Sequence, residues 1–176
     1  MRKIFLSACL LAGACSKAQG PAIPDGWARY DDPGRLFSCM APGDWRVTQL
    51  QSRAHRVTFH GPASGPKPMA AAIAVYRHEF SENYASVDAY FSAQAAGAIK
   101  FTPAVERLVD TKHAKEFFLE RLSPAMHGKP PEPVVENVII LPDSAGFLTI
   151  THTAPPDLHP ATKKVFDTLV ESFQLP

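Results

Sequence analysis

Covalent staples are scarce in this sequence: 176 residues hold three cysteines, Cys9, Cys15 and Cys39. A disulfide scaffold needs an even set of cysteines in the folded body, so this chain must be held by its core. No apolar run reaches the ~20 residues that a helix needs to cross a bilayer. An excess of one charge is also lacking, since 18 Lys+Arg face 17 Asp+Glu for a formal +1. A general nucleic-acid binder needs a basic surface to displace counterions, and that class is set aside. Catalytic and metal motifs are missing as well. There is no HExxH and no CxxC, the close spacings that hold zinc. No Gly-x-Ser-x-Gly elbow presents a nucleophile. Residues 61–67, GPASGPK, have the wrong spacing for a phosphate loop, and their prolines remove the amides that would cradle a phosphate. These absences predict a protein that is not an enzyme and uses no cofactor or metal, with a hydrolytic enzyme a distant alternative.

What is present begins at the N-terminus. Residues 1–14 read as a secretory signal: Arg2 and Lys3, an apolar stretch over 4–12, then small residues. Leu11-Ala12-Gly13-Ala14-Cys15-Ser16 resembles the bacterial lipobox, in which the cysteine is acylated and becomes the new N-terminus. The match departs at Ala12, three before the cysteine, where Leu is usual. The resemblance implies lipidation of Cys15 and a membrane held through that lipid, more firmly than one acyl chain would hold it. Ser16 in place of Asp points to the outer membrane, facing the periplasm. Without residues 1–14 the 18 basic residues become 16 against 17 acidic ones, a net charge near −1. Cys9 leaves with the signal and Cys15 carries lipid, so Cys39 stands alone in an apolar run, where a buried thiol acts as a small hydrophobe. Residues 15–26, polar with Pro and Gly, form a flexible tether.

The folded body, expected over residues 27–176, is organised around Leu36–Val47, LFSCMAPGDWRV. Two short strands flank a Pro-Gly corner, and Phe37 and Trp45 stand on either side to seed a core. Before it, Asp31-Asp32-Pro33-Gly34 reads as a turn. Alternation predicts strands over 53–60, with Val57 and Phe59 inward, and over 69–80. Residues 61–68 read as a loop. The 3.6-residue period predicts a helix over 86–100, with Ser86 as its N-cap and Val87, Tyr90, Phe91, Gln94, Ala95, Ala98 and Ile99 as its stripe. A hairpin over 105–122 turns about 111–114, and a Pro-bearing exposed loop covers 123–132. Residues 133–141 form an interior strand. A strand over 147–153 follows, and a closing helix over 159–173 has Pro160 in its first turn.

Four strands, a helix, four strands and a helix predict an α+β domain: one antiparallel sheet of about six to eight strands with two helices packed on it. The sequence resembles the PsbP/Mog1-type family of small domains. The resemblance rests on Tyr30-Asp31-Asp32-Pro33, Leu36-Phe37-Ser38, Pro42-Gly43-Asp44-Trp45 and Val170-Glu171-Ser172-Phe173, and spans residues 27–176. It implies an antiparallel sheet with helices on its faces and binding or assembly roles rather than catalysis. Among the seven histidines, His55 and His60 fall on opposite faces of a strand and cannot chelate one ion. His78 and His152 are candidates to approach each other across strands as a ligand or metal contact. His127, in the Pro-bearing loop, is a candidate partner contact. Two functions follow. The first is a lipid-anchored accessory that binds an envelope protein through a sheet edge or a Pro-rich loop. The second is a periplasmic carrier of a small ligand or metal.

Overall fold

The computed structural model describes residues 23–51, 55–63, 70–124 and 130–176. The chain runs β1 (Trp27–Asp31), β2 (Ser38–Pro42), β3 (Arg46–Gln51), β4 (His55–Ala63), β5 (Ala70–Glu79), α1 (Val87–Ala96), β6 (Lys100–Val109), β7 (Lys112–Leu122), β8 (Pro133–Asp143), β9 (Gly146–Ala154) and α2 (His159–Glu171). β1 and β2 pair as a small antiparallel ribbon. The other strands form a seven-stranded sheet in the order β3-β4-β5-β9-β8-β7-β6. Every pair in it is antiparallel.

The Asp-Asp-Pro-Gly segment is a turn, as its residues predict. The Asp32 carbonyl accepts from the Arg35 N–H at 2.8 Å, and its carboxylate accepts from the Leu36 N–H at 3.1 Å. Arg35 takes φ 56°, the left-handed region that few side chains occupy. The Pro-Gly corner carries the chain from the ribbon into the large sheet, since β2 pairs with β1 and β3 with β4. Trp45 then lies flat on Gly61, where an added Cβ would meet the indole at 2.6 Å. The glycine makes room for the ring, and pairing of Ala63 with Ala70 of β5 carries residues 61–63 into β4 where the sequence predicts a loop. Residues 64–68 of that loop and residue 69 of the expected next strand lie outside the described residues.

Each sheet face is covered differently. On one side α2 and the ribbon bury Phe37, Cys39, Trp45, Val57, Phe59, Ile73, Ile150, Phe166, Leu169 and Phe173 together. Phe37 stacks on Phe173 at 4.9 Å, and Tyr30 meets Phe59 edge-on at 5.2 Å. Cys39 is free and 2% exposed, and burial pushes its thiol up to about 12. On the other side α1 packs Tyr90 against Phe117, Leu119, Val138, Ile140 and Phe147, over β7, β8 and β9.

Two boundaries move. The Ser86 side chain caps α1 through the Ala89 N–H at 3.1 Å, as expected, but the helix stops at Ala96. Gly97 ends it, and the Ile99 N–H turns to the Glu120 carbonyl at 2.7 Å to start an edge strand. Ile99 is therefore 70% exposed and not part of a helical stripe. The β6–β7 turn is tighter than predicted: Asp110 and Thr111 both take positive φ, 45° and 67°, as a two-residue hairpin turn requires.

Candidate functional site

His78 and His152 stand on neighbouring strands but do not converge. Residues directly opposite in an antiparallel pair share a face, and β5 and β9 pair His78 with Phe147 and Ile73 with His152. Phe147 belongs to the core under α1, and Ile73 to the core under α2. The two imidazoles are thus separated by the thickness of the sheet. This corrects the expected cross-strand contact. A shared sequence parity within each strand does not reveal which face each strand turns to which helix.

Each ring has its own surroundings. His78 stacks on Phe147 at 4.6 Å, meets Tyr76 edge-on at 4.2 Å, and shares a hydrogen bond of 3.2 Å with the Thr149 hydroxyl. Burial pushes it down to about 4. A shallow cleft of about 250 Å³ opens beside it, lined by Tyr76, Arg77, Glu79, Asn83 and Tyr84. His152 is fully buried. The Thr162 hydroxyl donates to the Leu158 carbonyl at 2.9 Å and so accepts from His152 Nε2 at 2.8 Å. His152 Nδ1 is left without a partner among the described residues. His159 lies 5.2 Å away, ring to ring, and bonds Asn137 Oδ1 at 2.7 Å through Nε2. Among the described residues no three His, Cys, Asp or Glu side chains gather as metal ligands. Cys15 and His127, the lipidation and loop candidates, lie outside the described residues. The ends of the loop that carries His127 are tied, Ser123 N–H to the Glu132 carbonyl at 2.8 Å and Glu132 N–H to the Ser123 hydroxyl at 3.0 Å.

The residues do not announce one further polar pair. Asp32, fully buried at its side chain, receives His55 Nε2 at 2.7 Å on its Oδ1. The pair locks the ribbon's turn onto β4, with Gln49 reaching the same oxygen at 3.4 Å. The turn signature shows Asp32; only the fold shows its histidine.

One half of the α1-side face, over β3, β4 and β5, lies outside the core under α1, with exposed residues along β3 and at Arg56 around a buried Thr58. Register places its side chains in transverse rows. One row reads Arg46, His60, Ala72 and Thr153; the next reads Thr48, Thr58, Ala74 and Thr151; the third reads Leu50, Arg56, Tyr76 and Thr149. Small residues in the middle row leave a shallow trough between the two outer rows. Arg46, Thr48 and Arg56 are exposed, and Leu50 is 60% exposed. The Thr48 hydroxyl and His60 Nε2 share a hydrogen bond of 2.8 Å. Burial, then Arg46 and Arg56, holds the His60 imidazole below its usual range. Neither arginine forms an ion pair with a described residue.

No family model matches the sequence, and no curated protein matches it at the sequence level. Solved structures do match in shape. A Pseudomonas aeruginosa protein of unknown function aligns at TM-score 0.54 and 15% identity, over 85% of this chain and 96% of its own. Cyanobacterial PsbP from Synechocystis aligns at TM-score 0.52 and 15% identity, over 90% of this chain and 98% of its own. LpqN of Mycobacterium tuberculosis, described as involved in cell envelope biogenesis, aligns at TM-score 0.50 and 16% identity, over 85% and 92%. At such identities the likeness speaks for architecture alone, and the architecture is that of a PsbP-like α+β domain.

Proposed function

We propose that this protein is a non-catalytic binding or assembly accessory of the bacterial cell envelope, anchored by lipid on Cys15 to the outer membrane and facing the periplasm. The observation that carries the reading is the open half-face over β3–β5, where exposed arginines stand without ion-pair partners among the described residues. Buried polar groups elsewhere are mostly engaged within the fold: Asp32 with His55, His78 with Thr149, His159 with Asn137. A chain that satisfies its interior and leaves a polar, basic surface free is suited to meet another macromolecule. The lipobox-like run ending at Cys15 supports the anchor. The envelope-biogenesis role given to LpqN, a protein of the same fold, supports the compartment. The carrier alternative loses its metal pair, because His78 and His152 face opposite ways.

The test is crosslinking in cells of the full-length protein with its native leader, beside a Cys15→Ala control, with mass spectrometry of what copurifies. One recurrent envelope protein, lost in the control, is the expected outcome. Recovery of no protein partner would sink the accessory reading. An unmodified Cys15 in the mature protein would sink the anchor.

A further inference from the structure

From the open half-face we infer that the partner presents an acidic segment in extended conformation, which runs along the strand direction across the Thr/Ala trough with carboxylates on Arg46 and Arg56. This deepens the accessory reading and rests on it. The walls of the trough are the Arg46–His60 row and the Arg56–Tyr76 row. His60 and Arg56 are four residues apart on β4, which sets the rows ~13 Å apart at ~3.3 Å per residue. An extended chain running along the strands repeats its side chains on one face every second residue, so acids four apart span the same ~13 Å. They would reach both arginines at once.

The chemistry of the surface points the same way. Among the described residues, the α1-side positions of β3, β4 and β5 carry Arg46, Arg56, His60 and His78 and no carboxylate. The nearest acid on this face, Glu136, is already engaged by Arg121 and by the Thr153 hydroxyl at 3.1 Å. The trough floor offers the hydroxyls of Thr48 and Thr151, groups that donate to or accept from a peptide backbone. Guanidinium forks bind carboxylates in pairs of parallel hydrogen bonds. A basic partner segment would be repelled, and a purely apolar one would leave two arginines buried without counter-charge.

The experiment uses the purified full chain and a fluorescent synthetic peptide of Ser and Thr with Glu at every fourth position, read by anisotropy. Controls are the same peptide with Lys for Glu, vesicles containing phosphatidylglycerol, and light scattering of the chain alone. Expected is binding of the Glu peptide that weakens with added salt, none of the Lys peptide, and about tenfold weaker binding for each of Arg46→Glu and Arg56→Glu. Lys164→Glu, an exposed change on α2, should leave binding intact, and unchanged melting temperatures would show that the reversed variants are folded. Failure of the Glu peptide to bind, or binding indifferent to both reversals, overturns the inference. Arginine-dependent binding to the vesicles alone assigns the face to lipid headgroups and overturns it. Self-association abolished by the reversals assigns the face to a second copy and also overturns it. A crosslinked envelope partner that survives both reversals overturns this site while leaving the accessory reading intact.

Discussion

Acid should unfold this domain through its buried histidines, and His152 contributes the largest step. Its ring is fully buried, with Nδ1 unpartnered among the described residues. Burial first, then the nearby His159 and Lys163, outweigh the attraction of Asp167 and push it down from 6.5 to about 3. The folded state therefore holds the neutral ring, while the unfolded chain protonates it near 6.5. The stability gained is complete above the unfolded value and is lost as pH falls from 6.5 toward 3. At 1.36 kcal/mol per pH unit for one proton, the whole window is worth ~5 kcal/mol, and the part above pH 5 is worth ~2 kcal/mol. Against the ~5–15 kcal/mol that holds an ordinary domain, this decides acid stability. His78, pushed down to about 4 by burial alone, adds a second proton over much of the same range. Urea unfolding of the wild type and His152→Leu, in steps from about pH 7.5 to about pH 4.5, isolates the effect. The substitution changes stability at every pH through lost packing and the lost bond to Thr162, so the slope is the readout. Below pH 6.5 the variant should lose stability more gently, by ~1.4 kcal/mol per pH unit. Equal slopes would refute the reasoning.

Three further substitutions test the fold that frames the site. Gly146→Ala would set a Cβ 2.0 Å from the His78 carbonyl oxygen; a loss of about 3 kcal/mol or more is expected in chemical denaturation, and a loss below ~0.5 kcal/mol would mean that the β5–β9 contact gives way freely. Asp32→Ala strands the His55 ring and the Leu36 N–H that share its carboxylate; it should cost about 3 kcal/mol, and a thermally unchanged variant would show the ribbon to be held by its apolar contacts alone. Phe173→Ala removes the ring stacked on Phe37 and should cost about 3–5 kcal/mol, with an unaltered urea midpoint as the contrary result.

How far the residues foretell this molecule depends on which question is asked of them. Local patterns are legible: the Asp32 turn, the Ser86 cap, the Pro160 start of α2, and the inward Val57 and Phe59 all emerge from spacing and side-chain chemistry. β1 is missed, because Trp27 to Asp31 alternates weakly and is recognised as a strand only by its pairing with β2. The span of β6 is missed because helical spacing runs on past Gly97, and only a neighbouring strand can tell that Ile99 bonds to Glu120. The trough is missed for a related reason. Arg46, Arg56, Thr58 and Ala74 come from three strands and fall in three neighbouring rows, which exist only once the register is set. The misplaced His78–His152 contact belongs here too, since parity within a strand is local and the assignment of faces is global.

The segment after α2 fastens the β1–β2 ribbon. Gln174 forms backbone bonds with Ser38 in both directions, at 2.9 and 2.8 Å, and Leu175 donates to Asp110 at 2.8 Å. Ser38 and Gln174 stand 136 positions apart in the sequence. Synthesis proceeds from the N-terminus, so Phe37, Cys39 and Trp45 are made long before α2 arrives to cover them. Throughout elongation the ribbon presents a bare apolar side, and contacts this distant form late. The domain therefore closes late, and the ribbon stays uncovered until α2 and Gln174 have been added.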